Sequence, residues 1–171
     1  MGRRDAAPYP KQGALSVFAF FAFLLFMGGC KCAEAQRQED LARLPQASGD
    51  LQDQLAAEAA ARPAGTPTLE AVMAAATKEG IGFGAIRQAY GKKLLATYCA
   101  SVDSLDGMIL TICEYPTPEQ AKRGQAESGL IGAQLAGFQS RLRKQSVLNL
   151  VVRSDTPPEH VAKVLSAFEG L

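Results

Sequence analysis

Residues 93–115 constrain the fold more than any other stretch of this chain. Two runs of alternating apolar residues, 93–103 and 108–115, flank the tripeptide Leu105-Asp106-Gly107. A three-residue hairpin loop needs a left-handed third residue, which glycine adopts without steric cost. Gly107 in that place sets a register in which Ser104 opposes Met108. Tyr98, Ala100, Val102, Met108, Leu110 and Ile112 then share one face, with Glu114 at its edge. Thr97, Ser101, Asp103, Thr111 and Tyr115 share the other. Such a separation of apolar from polar side chains is what a half-buried antiparallel pair requires. The same register sets Cys99 directly opposite Cys113 on the more polar face. Opposed Cβ atoms in an antiparallel pair lie about 4.5–5.5 Å apart, close to disulfide geometry. A cystine between Cys99 and Cys113 is therefore expected.

The elements around the hairpin follow from helix-start chemistry. Thr66-Pro67, Thr117-Pro118 and Thr156-Pro157 each offer a threonine oxygen for an orphan backbone N–H and a proline for the first helical position. Thr156-Pro157-Pro158-Glu159 also has the form of a capping box. Three helices are predicted, over 68–79 with a stop at Gly80, over 118–138, and over 157–169. The last presents Val161, Val164, Leu165 and Phe168 as an apolar stripe. The second presents small residues, so it either packs very close to a sheet or is weak at Gly124 and Gly129. A third strand is predicted over 144–153, with Leu148, Leu150 and Val152 on one face. Ile81 to Gln88 is a candidate fourth. The order gives an α+β domain over 66–171: a small antiparallel sheet of three, or four, strands with helices packed on one face. It resembles part of a ferredoxin-like fold.

The first thirty residues bear on location. Arg3, Arg4 and Lys11 precede an uncharged, mostly apolar run from Ala14 to Gly29, and Cys30 follows two glycines. A positive segment, an apolar core and small residues at a cut site describe a signal peptide. Met27-Gly28-Gly29-Cys30 resembles the cleavage box of bacterial lipoprotein precursors, with Met27 standing where leucine is usual. The resemblance implies cleavage of residues 1–29 and lipidation of Cys30, with the chain held by membrane lipid through its acylated cysteine. Two or more acyl chains give stable anchoring. Lys31, rather than aspartate, after the lipid site implies by the same resemblance an outer-membrane location facing the periplasm. The competing reading is an uncleaved single-pass anchor, since Gly13–Gly29 is at the short edge of what spans a bilayer.

Three of the 18 basic and one of the 17 acidic residues lie in residues 1–29, so the mature chain carries a net charge of −1. That balance gives no support to nucleic-acid binding. Residues 30–65 are rich in Ala, Gln, Glu and Asp and are broken by Pro45, Gly49 and Pro63. They read as a flexible, partly helical tether. Cys32 is left as a free thiol, a second acyl site or an intermolecular bridge. Gly80-Ile81-Gly82-Phe83-Gly84 follows a helix rather than a strand and matches neither phosphate-loop spacing. His160, the only histidine, has no ligand set around it, so neither metal nor cofactor is expected. Asp103, Asp106 and Glu114 form no convincing catalytic dyad. Arg141, Arg143 and Lys144 read as a solvated strand end, with contact to anionic lipid heads as the sharper alternative. No catalytic residue is expected, and the domain reads as a non-enzymatic binding or envelope-structural module, with an envelope protein as a further partner. The alternative is a redox-active protein using Cys99 and Cys113.

Overall fold

The computed structural model describes residues 32–46, 49–64 and 67–171. Residues 1–29, read above as a signal peptide, and Cys30 lie outside the described residues. Contacts divide the chain into two units, Met1–Gln38 and Glu39–Leu171. Residues 32–43 are helical (α1), and Cys32 at the start of that helix is an exposed free thiol.

The second unit contains a five-stranded antiparallel sheet in the order β1-β2-β3-β5-β4. The strands are β1 (Arg87–Ala89), β2 (Tyr98–Asp103), β3 (Met108–Glu114), β4 (Phe138–Arg143) and β5 (Ser146–Val152). The helices are α2 (Leu51–Ala60), α3 (Leu69–Lys78), α4 (Pro118–Gly132) and α5 (Pro158–Glu169), with a 3-10 turn at Gly91–Leu94. The domain is α+β, as expected, with one or two strands more than anticipated.

The hairpin has the anticipated register. Cys99 pairs with Cys113 and Val102 with Leu110. Gly107 is left-handed at φ 87, and Ser104 N–H donates to Met108 O at 2.8 Å. The Cys99–Cys113 disulfide is formed, with the Cα atoms 4.1 Å apart.

Apolar burial fixes the layers. Tyr98, Ala100, Val102, Leu110, Leu148 and Leu150 face α3 and α5, whose Leu69, Val72, Val164 and Phe168 complete one core. Each such side chain contributes roughly 1.5–3 kcal/mol when fully buried. Helix α4 lies against the other face, where Ala121 packs with Cys99, Cys113, Tyr115 and Val147. Helices thus cover both faces, where they were expected on one. The cause is the long connection through α4, which carries the chain from β3 past β5 to the edge strand β4.

The small residues of α4 point inward. Ala121, Gly124, Ser128 and Gly132 are buried. A methyl group on Gly124 would overlap the Tyr115 ring and hydroxyl, and Tyr115 is fully buried with its hydroxyl donating to Leu94 O. Nothing stands near the equivalent position on Gly129. Gly124→Ala is therefore expected to lower the unfolding free energy by about 1–3 kcal/mol through overpacking. Gly129→Ala is expected to raise it by up to about 1 kcal/mol through helix propensity. Denaturant unfolding of the two variants side by side checks both signs.

Two helix starts differ from expectation. The N-cap of α3 is Thr68, which accepts from Ala71 N–H at 3.2 Å, and Thr66 lies outside the described residues. Thr156 does not cap α5; its hydroxyl donates to Asp106 O in the hairpin turn, and Pro157 occupies the cap position. Thr117 caps α4 as expected, accepting from Gln120 N–H. Gly80, left-handed at φ 88, closes α3.

Candidate functional site

The sheet face under α4 is only partly covered. From Thr117 to Gly124 the helix sits tight, because alanine and glycine let it approach. Over its last turns Ser128 and Gly132 face strands β3 and β5 and leave a cleft of about 160 Å³. Thr111, Asn149, Ile109 and Val151 form the floor, while Ile131 and Leu135 form the outer wall. Phe138 closes one end, its ring packed where a Gly132 side chain would be. Gly137 makes the turn into β4 at φ 72, with its α-carbon so near the Val152 backbone that no side chain fits.

The cleft is apolar at its mouth and polar on its floor, where Thr111 and Asn149 lie beneath Ser128. Ile131 and Leu135 are 56% and 49% exposed, and Ile109 and Leu130 are exposed beside them. Asn149 interrupts the otherwise apolar run of β5 and is 7% exposed. Its Nδ2 donates to Ser128 Oγ at 3.0 Å, while its Oδ1 is buried and accepts no hydrogen bond. Ser140 on β4 is the register partner of Asn149, and its Oγ is likewise buried without a partner. Thr111 is satisfied, donating to Ser101 Oγ.

A second polar constellation lies at the far end of β3, where residues read as tether meet the domain. Glu114 is fully buried. Arg62, between α2 and α3, donates to both its carboxylate oxygens, Nη2 to Oε1 at 2.7 Å and Nε to each at 3.1 Å. The same guanidinium donates to both oxygens of Glu70 and stands 4.5 Å from the centroid of the Tyr98 ring. The hydrogen bonds from Arg62 hold the Glu70 carboxyl down to about 2, from its usual 4.5. The two carboxylates in turn hold the Arg62 guanidinium above its ordinary range. Burial pushes the Tyr115 phenol up.

Further contacts bring the preceding segment onto the domain. Asp40, on α1, is buried and takes two bonds from Arg123 of α4, at 2.6 and 2.8 Å. The buried Glu58 carboxylate of α2 accepts from the backbone N–H groups of Gly91 and Lys92. Gln88 donates to Leu55 O and Lys92 to Gln46 Oε1.

The residues singled out from the sequence fall apart spatially. Cys99 and Cys113 are joined and fully buried beneath α4. His160 Nδ1 lies 3.1 Å from Asp106 Oδ2, an ion pair once the imidazole is protonated. Asp103 pairs with Arg87 at the surface. Glu114 belongs to the Arg62 clamp. Arg141 and Arg143 are exposed on edge strand β4, and Lys144 in the following turn donates to Leu171 O. Among the described residues no group of three or more His, Cys, Asp or Glu side chains could hold a metal ion. No described helix is long and apolar enough to cross a membrane.

The cleft was not anticipated. Its sequence signal is a single asparagine within Val147-Leu148-Asn149-Leu150-Val151, combined with a neighbouring helix whose inward residues are small. Comparison with family models, with curated proteins and with solved structures returns no match.

Proposed function

We propose that this chain is a lipid-anchored protein of the bacterial cell envelope whose α+β domain is a non-enzymatic binding module. The anchoring reading rests on the sequence alone: the basic start, the apolar run and the box ending at Cys30. Outer-membrane placement, facing the periplasm, rests on Lys31. The observation that carries the binding reading is the cleft under α4, where exposed Ile131 and Leu135 stand over a strand floor that carries Thr111 and Asn149. Apolar walls with a few placed polar groups are the usual makeup of ligand sites.

The burial of both half-cystines supports a structural staple over redox exchange, since an attacking thiolate must reach a sulfur. The anchoring is tested by the mass of the N-terminal peptide from membrane-extracted protein. A peptide that starts at Cys30 and carries fatty-acyl mass is the expected result. An unmodified peptide retaining residues 14–29 would mean a single-pass anchor instead.

A further inference from the structure

The geometry points to a membrane-docking surface: the β4 edge of the sheet, with the end of α4 beside it, seats in the headgroup layer of an anionic bilayer. This deepens the anchoring reading above and rests on it. Three observations carry it. The first is apolar exposure. Of the seven large apolar side chains exposed among the described residues, four gather at the end of α4: Ile109, Leu130, Ile131 and Leu135. A contiguous exposed apolar patch marks contact with a protein or a membrane.

The second is charge. β4 is an edge strand, paired only with β5. Alternation along it turns Phe138 toward the cleft and Arg141 and Arg143 to the opposite side of the same edge. Both arginines are exposed, and among the described residues neither pairs with a carboxylate; Arg141 donates only to Ser140 O and Gln139 Oε1. A surface that meets this edge touches hydrocarbon on one side and two unneutralised guanidiniums on the other. Interfacial membrane binding draws on the same pair of terms, buried apolar area and attraction to anionic lipid. A second copy joined edge to edge would bring the arginines against their own kind, and like charges opposed across strands destabilise a pair.

The third is reach. Cys30 lies ten residues before Asp40. Fully extended, ten residues span about 35 Å, and with residues 32–40 helical the reach shortens to about 20 Å. Asp40 is buried and held by Arg123 of α4. Leu130 follows Arg123 by seven residues, about 10 Å along the same helix. A lipid on Cys30 therefore holds α4 itself near the bilayer. Docking becomes an intramolecular step at a roughly millimolar effective concentration, for which a small patch suffices.

The chain has no tryptophan, so a single indole reports its own site. Leu135→Trp and Ile86→Trp are compared in the full, membrane-extracted chain, in phosphatidylethanolamine vesicles containing brominated phosphatidylglycerol. Ile86 is exposed just before β1, at the opposite edge of the sheet. Emission from Leu135→Trp is expected to shift to the blue and to be quenched by the brominated lipid, while Ile86→Trp stays unquenched. Adding Arg141→Gln and Arg143→Gln to Leu135→Trp is expected to weaken docking about tenfold or more, read as loss of most of the quenching. Quenching that survives that pair would overturn the role of the arginines. Equal quenching of the two reporters would overturn the surface. Quenching of neither, in a chain that floats with the vesicles, would overturn docking and leave the anchoring standing. A blue shift that grows with protein concentration without quenching would give the patch to a second copy and overturn the proposal. A chain that does not float with the vesicles would overturn the anchoring and the docking with it.

Discussion

Replacing both Cys99 and Cys113 by alanine is expected to lower the unfolding free energy of the domain by about 3 kcal/mol. The two residues are 14 apart in sequence. Closing a loop of about that length removes roughly 3 kcal/mol of chain entropy from the unfolded state. For a unit of this size the melting temperature should fall by roughly 10 °C. The position of the bond matters as much as its length. Cys99 is on the second strand of the sheet and Cys113 on the central third, and both sulfurs are shut beneath α4 with Ala121, Tyr115 and Val147. A thiolate reaches neither without moving the helix. In the folded chain the bond is therefore expected to resist glutathione, and to reduce only under conditions that also unfold α4. Thiol counting against near-UV circular dichroism checks this. Release of two thiols while the aromatic signal stays native would sink the staple and revive the redox reading.

The sequence made this hairpin legible because its signals are local. Gly107 dictates the loop, the loop dictates the register, and the register aligns the cysteines. Edge strand β4 was hidden for an opposite reason. Ile131, Leu135 and Phe138 continue the helical spacing of α4, yet the helix ends at Gly132 and the chain turns at Gly137. The following hairpin turns at Lys144, left-handed at φ 52, with none of the glycine or asparagine that normally marks such a turn. Strand β1 is only three residues long and has no apolar alternation to announce it.

The stretch at 93–97 reads as strand, but Gly91–Leu94 forms a 3-10 turn instead. Its first N–H groups are taken by Glu58, which lies 33 residues away from Gly91 in sequence. Long-range capping of that kind leaves no local trace. The acidic and arginine residues of 39–64 present the same difficulty. Asp40, Glu58 and Arg62 look like solvated charges of a spacer until their partners, Arg123, Gly91 and Glu114, are brought beside them. The cleft was hidden in part because its exposed residues, Ile131 and Leu135, follow the buried Ala121, Gly124 and Ser128 at the same helical spacing.

Arg62→Ala is expected to be among the most destabilising single changes in the chain, at about 3–5 kcal/mol. It withdraws a two-pronged partner from a carboxylate that has no exposed surface, and removing one member of a buried pair leaves charge that water cannot solvate. Charge burial, rather than the loss of three hydrogen bonds to Glu114 and two to Glu70, sets the size of the effect. The double variant Arg62→Met, Glu114→Leu should therefore recover most of the loss, because an apolar pair of similar volume needs no solvation. A double variant as unstable as Arg62→Ala would show that the geometry of the clamp, not its charge, is what the fold requires.

Acid dependence offers an independent check on the same arginine. Glu70 titrates near 2 in the folded chain and near its usual 4.5 when unfolded, because the Arg62 guanidinium donates to both of its oxygens. Its folded form thus binds protons less readily than its unfolded form. The stability it contributes is complete above pH 4.5 and is lost as pH falls from there toward 2. Glu70 is nearly half exposed, so solvent screening keeps the contribution small. Between pH 5 and 2, unfolding free energies of the wild-type chain and Glu70→Gln should converge. In the Arg62→Ala background most of that pH-dependent difference should disappear, leaving only what the Thr68 side chain and the backbone N–H of Glu70 itself contribute. A difference as large as in the wild-type background would mean that Arg62 is not what holds Glu70 down. Because Arg62 joins the end of α2 to the central strand, the same measurements report how firmly the α2 segment is fastened to the domain. A firm clamp restricts any spacer to the chain before Arg62.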